Sequence, residues 1–224
     1  MPAEPGRHGE SEGDELRFPP PSDGAGGGRR AGGLRLPGTG CAPITLFGNP
    51  VLRRKAPPVE VFDASIRRLV DELFETMYAI DTGVGLAANQ IGRPERVFVF
   101  DCRDGLAGHV VNPVVHPVRP DELQKGDEGC LSLPGESQDT VRLAHCRVTG
   151  FDARGNEIGY DGSGLRARCF QHETDHLEGL LYIDHQSPRT RRRMERRMRS
   201  SAWYGRDALD PASELYRDAQ GFEE

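Results

Sequence analysis

His172-Glu173-Thr174-Asp175-His176 puts two imidazoles four residues apart, with a carboxylate directly after the first. Four residues advance an α-helix by about 400° and ~6 Å along its axis, so on a helix both rings leave one face and can share a cation. Glu173 can reach a water on that cation more easily than the cation itself, which suits a general base. The bland alternative is a solvated helix that carries two histidines by chance.

Two imidazoles leave a tetrahedral site incomplete. A third protein ligand is needed, with the fourth position kept for water. Glu178 lies too close on the same helix, and His185 falls past its expected end. Upstream, Glu128-Gly129-Cys130-Leu131-Ser132 offers a thiolate beside a glycine that permits close backbone approach. Standing alone, Cys130 reads as an inert buried cysteine; with HExxH in the same chain it becomes the candidate third ligand. A third stretch, Gly83-Val84-Gly85-Leu86-Ala87-Ala88-Asn89-Gln90, partly matches the dinucleotide fingerprint. That fingerprint follows a strand and opens a helix, whereas this one follows a helix and precedes a strand, so nucleotide binding is rejected. A tight glycine turn is the plain alternative.

The elements that must position these residues follow from periodicity. Asp63 or Ser65 can cap a helix in which Ile66, Leu69, Val70, Leu73, Phe74 and Met77 form one apolar face. Val97-Phe98-Val99-Phe100 reads as a strand, and Val110-Val111 as a short one ended by Asn112-Pro113. Arg147–Phe151 and Glu157–Tyr160 flank a turn-rich link and read as a hairpin. A second long helix is expected from Gly164 or Leu165 through His176. Helix, short strands, then helix is an α+β order rather than βαβ alternation.

The Gly83–Gln90 stretch, the Glu128–Ser132 stretch and Gln171-His172-Glu173-Thr174-Asp175-His176-Leu177 resemble, in order, the three motifs of peptide deformylases. The resemblance runs from about Ile44 to Ser187 and includes Gly48-Asn49-Pro50-Val51-Leu52-Arg53. It implies an α+β fold with antiparallel strands packed around a central HExxH helix. The implied reaction is hydrolysis of the formyl group from the N-terminal formyl-methionine of nascent peptides. It implies one divalent ion on Cys130, His172 and His176, Fe²⁺ in the cell, with Zn²⁺, Ni²⁺ or Co²⁺ in preparations. Glu173 becomes the base, and the Gln90 amide and Leu131 N–H become donors to the developing oxyanion. Substrate is expected beside Gly85, whose small size lets two backbones meet, with Val84, Gly129 and Cys169 lining the methionine pocket. Asp175 and Arg142 form a candidate pair steadying the metal helix, with ordinary surface ion pairing the alternative. An HExxH zinc peptidase and an inactive interaction module are the competing readings. Cys130 and Gln90 argue against the first, and the intact Glu173 against the second.

Composition bounds the rest. A chain of 224 residues, 36% hydrophobic, can bury one sizeable core. Its formal charge of −6 sets up no global field for DNA or an anionic membrane. No run approaches the ~18 apolar residues of a spanning helix, and Met1 to Arg30 lack a secretory core, so a cytoplasmic protein is expected. Five scattered cysteines argue for a reducing compartment, with Cys41, Cys102, Cys146 and Cys169 as small buried side chains. Residues 1–38, rich in Gly and Pro, are expected to be a disordered extension. Residues 39–187 form the expected catalytic domain, and 188–224 an Arg-rich helix and tail. Arg189 to Arg199 reads either as a solvated helix face or as a docking surface for ribosomal RNA.

Overall fold

A computed structural model describes residues 40–221 of the chain. The disorder expected of residues 1–38 lies outside the described residues. Along the chain run β1 (Ile44–Thr45), α1 (Ala64–Tyr78), β2 (Gly85–Ala87), β3 (Val97–Asp101), β4 (Ala107–Pro117), β5 (Leu123–Gly129) and β6 (Ser137–Leu143). They are followed by β7 (His145–Phe151), β8 (Glu157–Ser163), α2 (Gly164–Leu177), α3 (Pro188–Ser200), β9 (Ala208–Leu209) and α4 (Glu214–Gln220).

The Asp63 carboxylate caps α1 by accepting from Ser65 N–H at 2.7 Å, so Asp63 rather than Ser65 is the cap. The helix buries Ile66, Leu69, Val70, Leu73 and Met77, while Phe74 is only half-buried and stacks on Tyr78. A five-stranded antiparallel sheet has the order β2-β3-β4-β7-β8, which leaves β2 with one free edge. The β7–β8 hairpin turns at Asp152, whose carboxylate accepts from the N–H groups of Arg154 and Asn156 at 2.8 and 2.9 Å.

One strand expectation needs correction, and one hairpin was absent from the expectations. Val110-Val111 does not end at Asn112-Pro113; β4 continues to Pro117. A bulge between Val111 and Val114 absorbs the proline, which has no N–H for the ladder, and Asn112 takes a positive φ of 54°. The Asn112 amide holds that bend by bonding both the N–H and C=O of Val59, at 2.8 and 2.9 Å. The β5–β6 hairpin was not legible, because its exposed residues mix Leu123 and Val141 with Lys125, Asp127 and Asp139, and only Glu128, Thr140 and Arg142 are buried along it.

The central helix is α2, which begins at Gly164 as the sequence suggests and packs against β2, β3, β4, β6, β7 and β8. Phe170 stands edge-on to Phe100 at 4.9 Å between ring centroids, pinning the helix to the sheet. Arg168, His172, Glu173 and His176 are buried on α2 together with Phe170 and Leu177. A helix that buries this many polar groups needs partners for them on other elements. The third helix, α3, inserts Met194 and Met198 into the main core, and β9 pairs with β1. No helix among the described residues is long and apolar enough to cross a membrane.

Candidate metal centre

Helical spacing brings the HExxH imidazoles together. His172 Nε2 and His176 Nε2 lie 3.2 Å apart, and Cys130 Sγ, carried by the loop after β5, sits 3.2 Å from His176 Nε2. The three ligand atoms lie within 4.8 Å of one another, and all three residues are buried. Bonds of ~2.0–2.3 Å at tetrahedral angles separate such donors by ~3.3–3.6 Å, so the cluster has the dimensions of one metal site. Its donor chemistry agrees. The His172 Nδ1–H donates to Glu128 at 2.8 Å, which leaves its Nε2 a bare lone pair facing two other lone-pair donors. One shared cation would satisfy all three donors at once.

Burial and the neighbouring His172 hold the His176 imidazole well below its ordinary range, so it offers a lone pair at neutral pH. At His172 burial acts the same way, but the bonds to Cys130 and Glu128 overcome it and raise the value. The His176 Nδ1 is buried without a partner.

Glu128 organises the surroundings. Its Oε1 accepts from His172 and from Arg142 Nη2 at 2.8 and 2.6 Å; its Oε2 accepts from Arg142 Nε and Arg168 Nη1 at 3.1 and 2.7 Å. Burial raises this carboxyl, but His172 and Arg142 more than offset that and hold it well below the usual carboxylate range. Arg142 also donates to Asp175 at 2.6 Å, and Asp175 meets His185 Nε2 at 2.7 Å. With the Arg142 side chain only 5% exposed, the Asp175–Arg142 contact is an interior brace rather than a surface pair.

Glu173 lies beside the ligands with Oε2 buried and free of any partner. Burial pushes this carboxyl up to about 7, which an adjacent cation would oppose. Across from it, the Gln90 Oε1 accepts from Ala87 N–H at 2.8 Å, which turns Nε2 toward Cys130 Sγ at 3.6 Å and Ser132 Oγ at 3.3 Å. Asn89 Nδ2 donates to the His176 carbonyl at 2.6 Å and ties this turn to α2. Leu131 follows Cys130 in the same loop, and its carbonyl accepts from Tyr216 at 2.9 Å.

Gly85 lies in β2 against the Glu173 and Cys169 side chains. A Cβ there would come within 2.5 Å of Glu173 Oε1 and 2.7 Å of Cys169 Sγ. The Val84 carbonyl accepts from Asp101 N–H on one side, so by strand alternation the Gly85 amide groups point to the free edge. Val84 is half-buried beside that edge. Cys169 is buried behind β2 and donates to the Val84 carbonyl at 3.4 Å, while Gly129 is exposed at the end of β5.

Some residues were missed. Glu128 belongs to the Glu128–Ser132 motif, two residues before Cys130, and that nearness is its one signal in the sequence. Arg168 precedes His172 by four residues, one helical turn, and carried the same kind of signal. His185 and Glu178, both set aside as ligands, have other partners: His185 joins Asp175, and Glu178 pairs with Lys55 and Arg96. Cys102, Cys146 and Cys169 are buried, but Cys41 is exposed, because it lies on the surface near the α1 residue Glu75 rather than in the core.

The profile of the polypeptide deformylase family matches residues 41–192. Peptide deformylase 1 of Corynebacterium efficiens is 47% identical over 166 residues, spanning 73% of this chain and 97% of that protein. Peptide deformylase of Acidothermus cellulolyticus is 50% identical over 163 residues, spanning 73% and 88%. Among solved structures, the peptide deformylase of Thermus thermophilus aligns at TM-score 0.65 with 42% identity, covering 71% of this chain and 93% of that one. The Legionella pneumophila enzyme aligns at TM-score 0.66 with 37% identity, covering 71% and 94%. The matched span contains Gln90, Cys130, His172, Glu173 and His176, and the chain belongs to the peptide deformylase family: a hydrolase dependent on a divalent metal that removes the formyl group from formyl-methionine peptides.

Proposed function

We propose that Cys130, His172 and His176 hold one Fe²⁺ in the cell, with Zn²⁺, Ni²⁺ or Co²⁺ able to replace it in preparations, and that Glu173, Gln90 and Leu131 carry the reaction. The observation behind this reading is the convergence of one sulfur and two imidazole nitrogens beside a buried carboxylate oxygen that has no other partner. When bound, the ion supplies Lewis acidity and draws the pKa of water from near 16 toward ~7. Glu173 takes the proton of the attacking water and returns it to the departing amine. The Gln90 Nε2 and the Leu131 N–H donate to the formyl oxygen as it gains negative charge, a contribution worth ~10²–10³-fold in rate per donor.

The substrate backbone lies extended along the free edge of β2, exchanging hydrogen bonds with Gly85. Val84, Gly129 and Cys169 border the methionine side chain. The catalytic unit is residues 39–187, with 188–224 as its C-terminal helix and tail. Arg189, Arg192, Arg196 and Arg199 recur at helical spacing on α3 and are all exposed, which suits contact with ribosomal RNA near the emerging chain. The cytoplasm, where formylated chains are made, is the expected compartment. Ribosome co-sedimentation unchanged by neutralising these arginines would reject the docking role.

The catalytic reading is tested with protein loaded anaerobically with iron or zinc and assayed on a formyl-Met peptide. The iron form should turn over faster. Glu173→Ala should lose at least ~10²-fold in kcat while keeping its metal. Loss of metal from that variant, or full metal affinity in Cys130→Ala, would show that the roles are misassigned.

A further inference from the structure

The loop Cys130–Glu136 carries one proposed ligand and one proposed donor, and six of its carbonyls have partners in the structure. Cys130 accepts from Leu133 N–H at 2.9 Å, Ser132 from Phe47 N–H at 2.9 Å, and Leu133 from Glu136 N–H at 3.1 Å. The remaining partners come from the C-terminal part of the chain. Tyr216 donates its hydroxyl to the Leu131 carbonyl at 2.9 Å, and the Trp203 indole N–H donates to Pro134 at 3.2 Å. Tyr182 donates to the Glu136 carbonyl at 2.9 Å, and Arg197 pairs with the Glu136 carboxylate. Gly135, at φ +74°, lies so close to α4 that a Cβ would meet the Ala219 carbonyl at 2.3 Å. Trp203 and Tyr216 are each 1% exposed and belong to the same core as α1 and the metal loop. Both lie beyond the span matched to the family.

We propose that residues 201–221 clamp the metal loop from behind, and that Tyr216 is a positioning residue for deformylation, restraining the Leu131 backbone so that its N–H is aimed at the substrate oxygen. The carbonyl that Tyr216 holds and the N–H that meets substrate belong to one residue, so the bond restrains the backbone rotations that set the donor's direction. A donor contributes fully only when it is aimed before the charge develops, and small misplacements cost large factors in rate. The proposal rests on Leu131 being that donor.

The test uses the full-length, metal-loaded enzyme with Tyr216→Phe, which deletes one oxygen. Formyl-peptide kinetics, metal content per site and amide hydrogen exchange of residues 131–136 are measured together. The expected result is a kcat about 10-fold lower, KM within about twofold, unchanged metal content and faster exchange in the loop. Unchanged exchange with unchanged kcat overturns the clamp. A loosened loop with unchanged kcat overturns the positioning role and traces the failure to the reading of Leu131 as a donor. A raised KM with kcat intact also overturns it, since Tyr216 would then serve substrate binding. Trp203→Phe releases the same loop at Pro134 and should give the same split between kcat and KM; normal kinetics and exchange in that variant overturn the clamp even if Tyr216→Phe does not fold.

Discussion

Replacing Glu128 with Gln tests whether the metal centre is held from behind by a single buried carboxylate. Glu128 accepts four charge-assisted bonds, two on each oxygen, from His172, Arg142 and Arg168. In Glu128→Gln one oxygen becomes an NH₂ group that cannot accept, so two of the four are lost and two donors face a donor. Bonds to charged groups contribute ~1.5–3 kcal/mol each, which gives a loss of ~3–6 kcal/mol. An independent route, the cost of breaking a buried ion pair by removing one partner, gives ~3–5 kcal/mol. For a chain of this size that corresponds to a Tm lower by about 6–20 °C. Where the amide nitrogen takes the Oε1 position, loss of the acceptor at His172 Nδ1 also frees the ring to rotate or change tautomer, and loss of such support typically weakens metal binding ~10–100-fold. Thermal melts of the metal-loaded protein and competition with a calibrated chelator measure the two effects separately. A variant within about 2 °C of wild type that keeps its metal affinity within twofold would refute the idea that this carboxylate is the keystone of the site.

Other outcomes follow from the same contacts. Gly85→Ala puts a methyl where Glu173 Oε1 and Cys169 Sγ now stand, at 2.5 and 2.7 Å, so kcat should fall by about 10²-fold with metal retained; peptide kinetics and metal analysis check this. Iodoacetamide should label Cys41 in the folded metal-loaded enzyme, and chelation should add Cys130. Cys102, Cys146 and Cys169 should react only on unfolding, with burial pushing the Cys146 thiol up to about 11; peptide mapping reads the order. Burial raises the Asp152 carboxyl, but Asn156 and its backbone bonds outweigh this and leave it below its ordinary value. Its contribution is therefore present above roughly pH 4 and lost as pH falls through the lowered folded value. Asp152→Ala should lower Tm by a few degrees at pH 7, a cost of about 1 kcal/mol. That difference should shrink in acid, as melts across pH will show.

The pairing of His172 with His176 was readable from the chain alone, because helical spacing is a local property and needs no knowledge of what the helix packs against. The same holds for the apolar face of α1 and the run that became β3, where side-chain periodicity reports burial directly. Peptide deformylase membership was legible through three motifs in order. The choice of Cys130 among five cysteines, by contrast, could be argued from neighbours but becomes geometry only when the loop after β5 folds back onto α2. Periodicity could not find the β5–β6 hairpin, because its buried face carries Glu128, Thr140 and Arg142, groups that hydrophobic patterning counts as surface. Those groups are interior only because their charges meet partners from other elements: Arg168 and His172 from α2, Asp175 near its end, and His185 beyond it. The Tyr216 and Trp203 contacts are likewise products of tertiary structure, joining residues 85 and 69 positions apart. Local spacing is written in the order of residues, whereas the pairing of buried charges and the aiming of a loop exist only once distant segments are packed together.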